Sequence, residues 1–314
     1  MEKTQFETFL AEEVIKVKGV YYPIKAGFLR RAFIKTAPCE KLHPNPNDEF
    51  CFPDIGPNYD IISRYVGDYI QAGKDLGQLR FLDSSASEPL DVERTSPDGY
   101  MILNGHHRWG AALKLGMKTI PIRIVDLTQK SDIQKMLNAT GFHRRVTLDL
   151  DEVVFRPEND PNLEKQLPFP MRRIYKERLR RGIPALFNML NRHGYDIWIY
   201  TANYYSLEYL RHYFKHYRIH VTGIVTGTAR KGPEGTDTRN ELEKLCNSKY
   251  KTTVHIDNKA VIRTFRGVQN FEEFPLSGAS ETWSRDVMDA FEKMNEEQKK
   301  NEKKRRAGED AGIL

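Results

Sequence analysis

Cysteine is scarce: Cys39, Cys51 and Cys246 are the only three in 314 residues, and they show no paired metal-ligand spacing. That excludes a disulfide scaffold and a cysteine-built zinc site, and it fits reduced thiols in a cytoplasmic protein. Long apolar runs are missing too. None approaches the ~20 residues of a membrane-crossing helix, so no membrane partner is expected. The charged opening Met1-Glu-Lys-Thr lacks the apolar core of a signal peptide. No internal repeat occurs, which removes solenoids and propellers from consideration.

What is present reads as an ordinary soluble globular composition, 39% hydrophobic and 29% charged. The length exceeds the usual single-domain size, so two domains are expected. A net charge of +6, with an isoelectric point near 9.0, permits an anionic partner such as a nucleotide or nucleic acid, but solvated surface alone gives the same balance.

The densest chemistry lies in Val146 to Phe155, Val-Thr-Leu-Asp-Leu-Asp-Glu-Val-Val-Phe, where an apolar run is interrupted by two carboxylates. Arg145 to Leu150 has the composition of a buried strand in an α/β sheet, and such sheets bind ligands outside the carboxyl ends of their strands. Asp149 and Asp151 then stand at such an end, where one acid can attack or hold a metal while the other moves a proton. The plainer alternative is a turn cap at Asp151 beside a solvated Asp149. A second apolar strand, Tyr195 to Tyr200, ends at Thr201, and a third, Thr252 to Ile256, ends at Asp257. Between them, the glycine-bounded segment Gly223 to Gly232 carries Lys231.

In that order the four pieces resemble the motifs of the haloacid dehalogenase (HAD) phosphohydrolase superfamily over about residues 142–290. Asp257 is followed by Asn258 rather than a second acid, and this pairing with Asp-Leu-Asp-Glu looks most like the capless, FCP-like branch. The resemblance implies a Rossmann-like parallel sheet with helices on both faces. It also implies an aspartyl-phosphate mechanism with Asp149 as nucleophile and Asp151 as acid and base. Thr201 would hydrogen-bond the phosphoryl oxygens and Lys231 would offset their charge. A magnesium ion would be held by Asp149, the Asp151 backbone carbonyl and Asp257. Alternatives stay open at two positions. Thr201 can also cap a helix expected over Tyr204 to Phe214, and Lys244, Lys249 and Lys251 compete with Lys231.

The first half has its own focus. A short strand, Tyr100-Met-Ile-Leu, runs into Asn104-Gly-His-His-Arg-Trp, then a helix from Gly110 to Leu115 and a strand from Thr119. Backbone N–H groups at such a helix start, with Arg108, can hold a phosphate, although His106 and His107 can equally be a buried residue and a cover for the helix. This block, with Leu42-His-Pro-Asn-Pro and Pro89-Leu-Asp-Val, resembles the ParB/sulfiredoxin superfamily over about residues 36–126. The resemblance implies a small α+β domain that binds a nucleotide such as ATP or CTP at Gly105, His106, His107 and Arg108. It also allows phosphotransfer, with Asp48, Glu49 or Asp68 as base. His106 stands where sulfiredoxin needs a cysteine, so reductase chemistry is not expected.

The remaining segments are read more simply. Val14 to Tyr22 alternates like a strand or hairpin, residues 40–58 form a Pro- and Asn-rich loop, and Ile61 to Ala72 has helical spacing ending at Gly73. A basic helix is expected from Met171, with Arg172, Arg173, Lys176, Arg178, Arg180 and Arg181 on it, either a solvated face or, beside a phosphatase site, a hold for an anionic substrate or nucleic-acid strand, and a last helix is expected over Glu281 to Met294. The expected division is an extension at 1–35, the ParB-like domain at 36–127, a connector at 128–141, the HAD-like domain at 142–294 and a charged tail at 295–314. Two functions follow. One is a magnesium-dependent phosphatase on a phosphorylated substrate, with kinase activity added by the first domain. The other is a nucleotide- or nucleic-acid-binding regulator whose HAD-like fold does not catalyse.

Overall fold

The computed structural model describes residues 4–76, 88–228, 238–267 and 271–296. They fall into two compact units, one of Met1–Thr128, Asn203–Glu208 and Thr226–Asn240, the other of Gln129–Ala202, Tyr209–Val225 and Glu241–Leu314. Both mix helices with parallel and antiparallel strand pairs. No described helix is long and apolar enough to cross a membrane.

The first unit contains α1 (Gln5–Val17), β1 (Tyr22–Pro23), α2 (Gly27–Phe33), β2 (Thr36–Pro38), β3 (Leu42–His43), α3 (Tyr59–Leu76), β4 (Leu90–Ser96), β5 (Tyr100–Asn104), α4 (His106–Lys114) and β6 (Thr119–Ile124). Its mixed sheet runs β2-β6-β4-β5-β3, with β1 added to β4. Leu90 and Val92 of β4, Ile102 of β5, and Ile120, Ile122 and Ile124 of β6 turn into one core with Trp109, Ala111 and Ala112 of α4. The same core takes Leu10, Phe6 and Val14 from α1, so residues 5–17 belong to the packed unit rather than to an extension. Of the strand or hairpin expected over Val14 to Tyr22, the first four residues are instead the end of that helix, and Tyr22 alone enters a strand, β1. Thr4 and Glu7 close its first turn reciprocally, and apolar residues four apart share its buried face, which outweighs a short alternating pattern. Gly73 does not end α3, which continues to Leu76 through both Gly67 and Gly73; each interior glycine costs a helix only about 1 kcal/mol.

The second unit contains α5 (Lys130–Asn138), β7 (Arg144–Asp149), a π-type turn (Leu150–Val154), β8 (Phe155–Arg156), α6 (Met171–Ile174), β9 (Arg178–Leu179), α7 (Ile183–Arg192), β10 (Asp196–Tyr200), most of α8 (Leu207–His216), β11 (Gly223–Val225), most of α9 (Thr238–Lys249), β12 (Thr252–Ile256), β13 (Ala260–Phe265), β14 (Phe271–Pro275) and helix α10 over 283–296. The sheet order is β11-β10-β7-β12-β13-β14. The first four strands are parallel and the last two antiparallel. The expected all-parallel sheet fails at β13 for a geometric reason: residues 257–259 alone join it to β12, and a parallel crossover needs a dozen residues or more.

Every residue of β10 is buried, the signature of a strand covered on both faces. Ile133, Met136 and Leu137 of α5 and Cys246 of α9 meet Trp198, Tyr200 and Val225. So α5, read from the sequence as a connector, is part of this core. Tyr195, which alternates with them, meets Phe291 of α10 edge to face at 5.2 Å. A Cβ on Gly223 would lie 2.2 Å from the Trp198 ring, so only glycine lets β11 pair beside that indole.

The basic helix expected from Met171 is a single turn, α6. It stops at Ile174, and the chain extends into β9, whose Leu179 pairs with Phe155 of β8. Extension buries Tyr175, Leu179 and Arg180 together, whereas a helix carrying six cations would hold them in water. Lys231 and the tail from 297 lie outside the described residues.

Candidate active site

Three adjacent parallel strands of the second unit end at the residues singled out above. Tyr200 is in register with Asp149, and Ile256 with Leu148, so Asp149, Thr201 and Asp257 stand side by side at the carboxyl edge of the sheet. Neighbouring strands lie about 4.8 Å apart, within reach of one small ligand.

The geometry at each position is specific. Asp149 Oδ1 accepts the N–H groups of Asp151 and Glu152 at 2.8 and 2.9 Å, which fixes the carboxylate against the π-type turn. Its Oδ2 has no hydrogen-bond partner among the described residues and is free to meet a ligand. Asp151 Oδ2 accepts the Thr201 hydroxyl at 2.5 Å. Thr201 is fully buried, and its N–H donates to the Val225 carbonyl at 2.9 Å. It does not cap α8, which begins only at Leu207. Asp257 Oδ1 accepts the Asn258 N–H at 2.6 Å, and its carbonyl accepts the Trp283 indole N–H at 3.2 Å. Asn258 Nδ2 in turn donates to the Glu152 carbonyl at 3.2 Å, joining the ends of β7 and β12.

The competing lysines separate by position. Lys249 Nζ donates to the Leu137 and Thr140 carbonyls at the end of α5, and Lys251 precedes β12. Both belong to the amino edge of the sheet, away from the three acids. Lys244 is exposed on α9.

Among the described residues no three His, Cys, Asp or Glu side chains form a metal-holding group. The expected magnesium set needs fewer: the Asp149 and Asp257 carboxylates and the Asp151 carbonyl. Asn258 adds a buried Oδ1 with no partner, a hard oxygen of the kind this ion takes. The residues present fit the ion.

In the first unit, α4 starts at a glycine for two reasons. Gly105 has φ 100°, and a Cβ there would lie 2.5 Å from Leu90 Cδ2 and 2.9 Å from Arg108 Nη2. The two histidines hold the Asn-rich loop rather than facing outward. His106 Nε2 accepts the Asn45 N–H at 3.1 Å, and His107 Nε2 accepts the Asn58 N–H at 3.2 Å. Burial pulls the His106 pKa down to about 4 and lowers that of His107, against the charge of Asp48, so both rings are neutral at pH 7. Arg108 is buried as well. Its Nη1 donates to the Glu88 and Pro89 carbonyls at 2.6 and 3.2 Å and to Glu88 Oε2 at 3.1 Å, clamping the chain that enters β4. Beside the helix start is a cleft of about 470 Å³ lined by Asn47, Asp48, Glu49, Asn104, Gly105 and both histidines, among others. Asp48 accepts the Phe50 N–H at 3.0 Å, and exposed Asp68 is not part of the lining.

Sequence reading missed Trp283, and it named Arg180 only as one cation of a basic helix and not as a neighbour of Asp257. Arg180 is 3% exposed and stacks 4.2 Å from the Trp283 ring. Its only local signal was membership of a basic run, which pointed to a solvated face or to an anionic substrate without singling out this residue.

The family model of the ParB N-terminal domain matches residues 83–140, a stretch that includes β4, β5, α4 and β6 and reaches α5. The ParB-like reading of the first half therefore has a match behind it. No curated protein matches the chain.

Proposed function

We propose that the chain is a magnesium-dependent phosphohydrolase of the HAD kind, with a ParB-like unit that binds a nucleotide or phosphate at the cleft beside α4. The observation that carries the first part is the row Asp149, Thr201 and Asp257 on three neighbouring strand ends, with Asp151 hydrogen-bonded to Thr201. This reading rests on the residues and their geometry.

Asp149 Oδ2 attacks the phosphorus of a phosphate monoester in line with the leaving oxygen. The bond from phosphorus to that oxygen breaks, and protonated Asp151 supplies its proton. Asp151, now a carboxylate, takes a proton from water, and the resulting hydroxide attacks the aspartyl phosphate. Inorganic phosphate leaves and Asp149 is regenerated. The Thr201 hydroxyl, donating to Asp151 Oδ2, holds that carboxyl where both proton transfers occur. Bound magnesium, held by Asp149, the Asp151 carbonyl, Asp257 and Asn258, would offset charge building on the phosphoryl oxygens. Lys231 is the candidate for a second positive charge there.

For the first unit, the α4 start offers backbone N–H groups with no side-chain cap, the arrangement that receives a phosphate. Glu49 on the cleft is the candidate base for phosphotransfer to a hydroxyl. The second reading, a nucleotide- or nucleic-acid-binding regulator without turnover, is favoured by the ParB N-terminal match.

Hydrolysis of an aryl phosphate by wild type and Asp149→Asn, with magnesium and with chelator, separates the two. Magnesium-dependent turnover abolished in the variant supports the phosphatase. No turnover in wild type, together with salt-sensitive nucleic-acid binding, favours the regulator.

A further inference from the structure

We propose that Arg180 is an anion-recognition residue of the Asp149–Asp257 site, and that the preferred substrate is a phosphate monoester carrying a second oxyanion, phosphoryl or carboxyl. This rests on the phosphatase reading and narrows its substrate class. Arg180 is 3% exposed, and its Nε and Nη1 are buried without a hydrogen-bond partner. Leaving buried donors of a charged group without hydrogen bonds is costly, so the molecule holds here two N–H groups open to an acceptor that it does not itself supply. The neighbouring Arg156 differs. Its Nε donates to Asp160 at 2.8 Å, so its charge is already matched.

Arg180 is tied to the site at both ends. Its backbone N–H donates to the carbonyl of Val154, the last residue of the turn that follows Asp149. Its guanidinium lies 4.2 Å from the ring of Trp283, whose indole N–H holds the Asp257 carbonyl. Burial and the adjacent Arg156 draw its pKa down to about 10 against the pull of Asp160 and Asp257, so it remains charged at pH 7. Two open N–H donors on a planar, permanently charged group give an oxyanion directed hydrogen bonds, which the round ammonium of lysine does not reproduce.

The test compares phenyl phosphate, 4-carboxyphenyl phosphate and the 1,4-bisphosphate of the same ring, using wild type, Arg180→Gln and Arg180→Lys. Wild type should favour the two doubly anionic esters through KM. Arg180→Gln should lose about tenfold or more in kcat/KM on those two beyond whatever it loses on phenyl phosphate, and Arg180→Lys should recover only part. The relative response of the carboxylated and bisphosphate esters tells which oxyanion is meant. Equal losses on all three esters, or no preference in wild type, overturn the proposal. If wild type hydrolyses none of them, the phosphatase reading fails, and calorimetry with inorganic pyrophosphate decides Arg180 separately. Binding lost in Arg180→Gln upholds its role, while equal binding in both proteins, or none in wild type, overturns it. A purely structural arginine would lower the melting temperature of both variants with no selectivity between esters.

Discussion

The hydroxyl of Thr201 donates to Asp151 Oδ2 at 2.5 Å, tying the end of β10 to the turn that follows β7. A carboxyl that must give a proton and then take one gains from being held in a single orientation, and this buried hydroxyl holds it. Thr201→Val is close in shape and removes the hydroxyl, with its bond to Asp151. It should lower kcat on an aryl phosphate by about tenfold or more with a smaller change in KM, and alter the pH profile of kcat. Thr201→Ser should retain most activity. Steady-state kinetics across pH check this, and an unchanged kcat in Thr201→Val would remove Thr201 from the proton-transfer step.

The strand ends were legible because parallel strands covered on both faces read as continuous apolar runs, so Val146 to Leu148 and Ile197 to Tyr200 announced both themselves and the polar residues beyond them. The antiparallel edge was not, since it depends on the short link after Asp257. The buried place of Arg180 was illegible for a similar reason. Its conformation follows from β9 pairing with β8, more than twenty residues earlier in the chain, and no local pattern in Met171 to Arg181 encodes that partner. At Gly105 to Arg108 the sequence showed the glycine, the histidines and the helix. That the imidazoles accept from Asn45 and Asn58, and that Arg108 clamps Glu88, are matters of tertiary contact.

The first unit should lose stability as pH falls. His106 and His107 bind protons readily when unfolded, near their ordinary pKa of about 6.5, but burial disfavours this in the fold. Their contribution is fully present above that value and is lost as pH falls from about 6.5 towards about 4, the His106 value in the fold. Each proton involved gives a slope of about 1.4 kcal/mol per pH unit. Urea melts at pH 7, 6 and 5 should show the loss. His106→Asn, which keeps an acceptor for Asn45 without titrating, should flatten it.

Gly105 should tolerate no side chain, unlike Gly116. Both have positive φ, at 100° and 66°, but a Cβ meets nothing within 4 Å at Gly116 and falls 2.5 Å from Leu90 at Gly105. Backbone strain costs about 1–3 kcal/mol at either site; the collision is confined to one. Gly105→Ala should therefore melt several degrees below Gly116→Ala and weaken the nucleotide binding proposed for the cleft, because the Arg108 guanidinium must also move. Similar melting temperatures for the two variants would show that β4 yields freely.

Asn258 offers the sharpest test of the metal assignment. Its Nδ2 is used, holding the Glu152 carbonyl, while its Oδ1 is buried and unpartnered. An amide oxygen left this way is either an uncompensated cost of ~1–3 kcal/mol or a ligand held in readiness. If it is a ligand, Asn258→Ala should raise the magnesium concentration for half-maximal activity by about tenfold, with much of kcat recovered at saturating metal. If the residue only braces Glu152, the same substitution should lower kcat and the melting temperature while leaving the magnesium dependence unmoved. Asp257→Ala removes a charged ligand and should not be rescued by added metal in either case, so a titration of all three proteins with magnesium distinguishes a missing donor from a loosened loop.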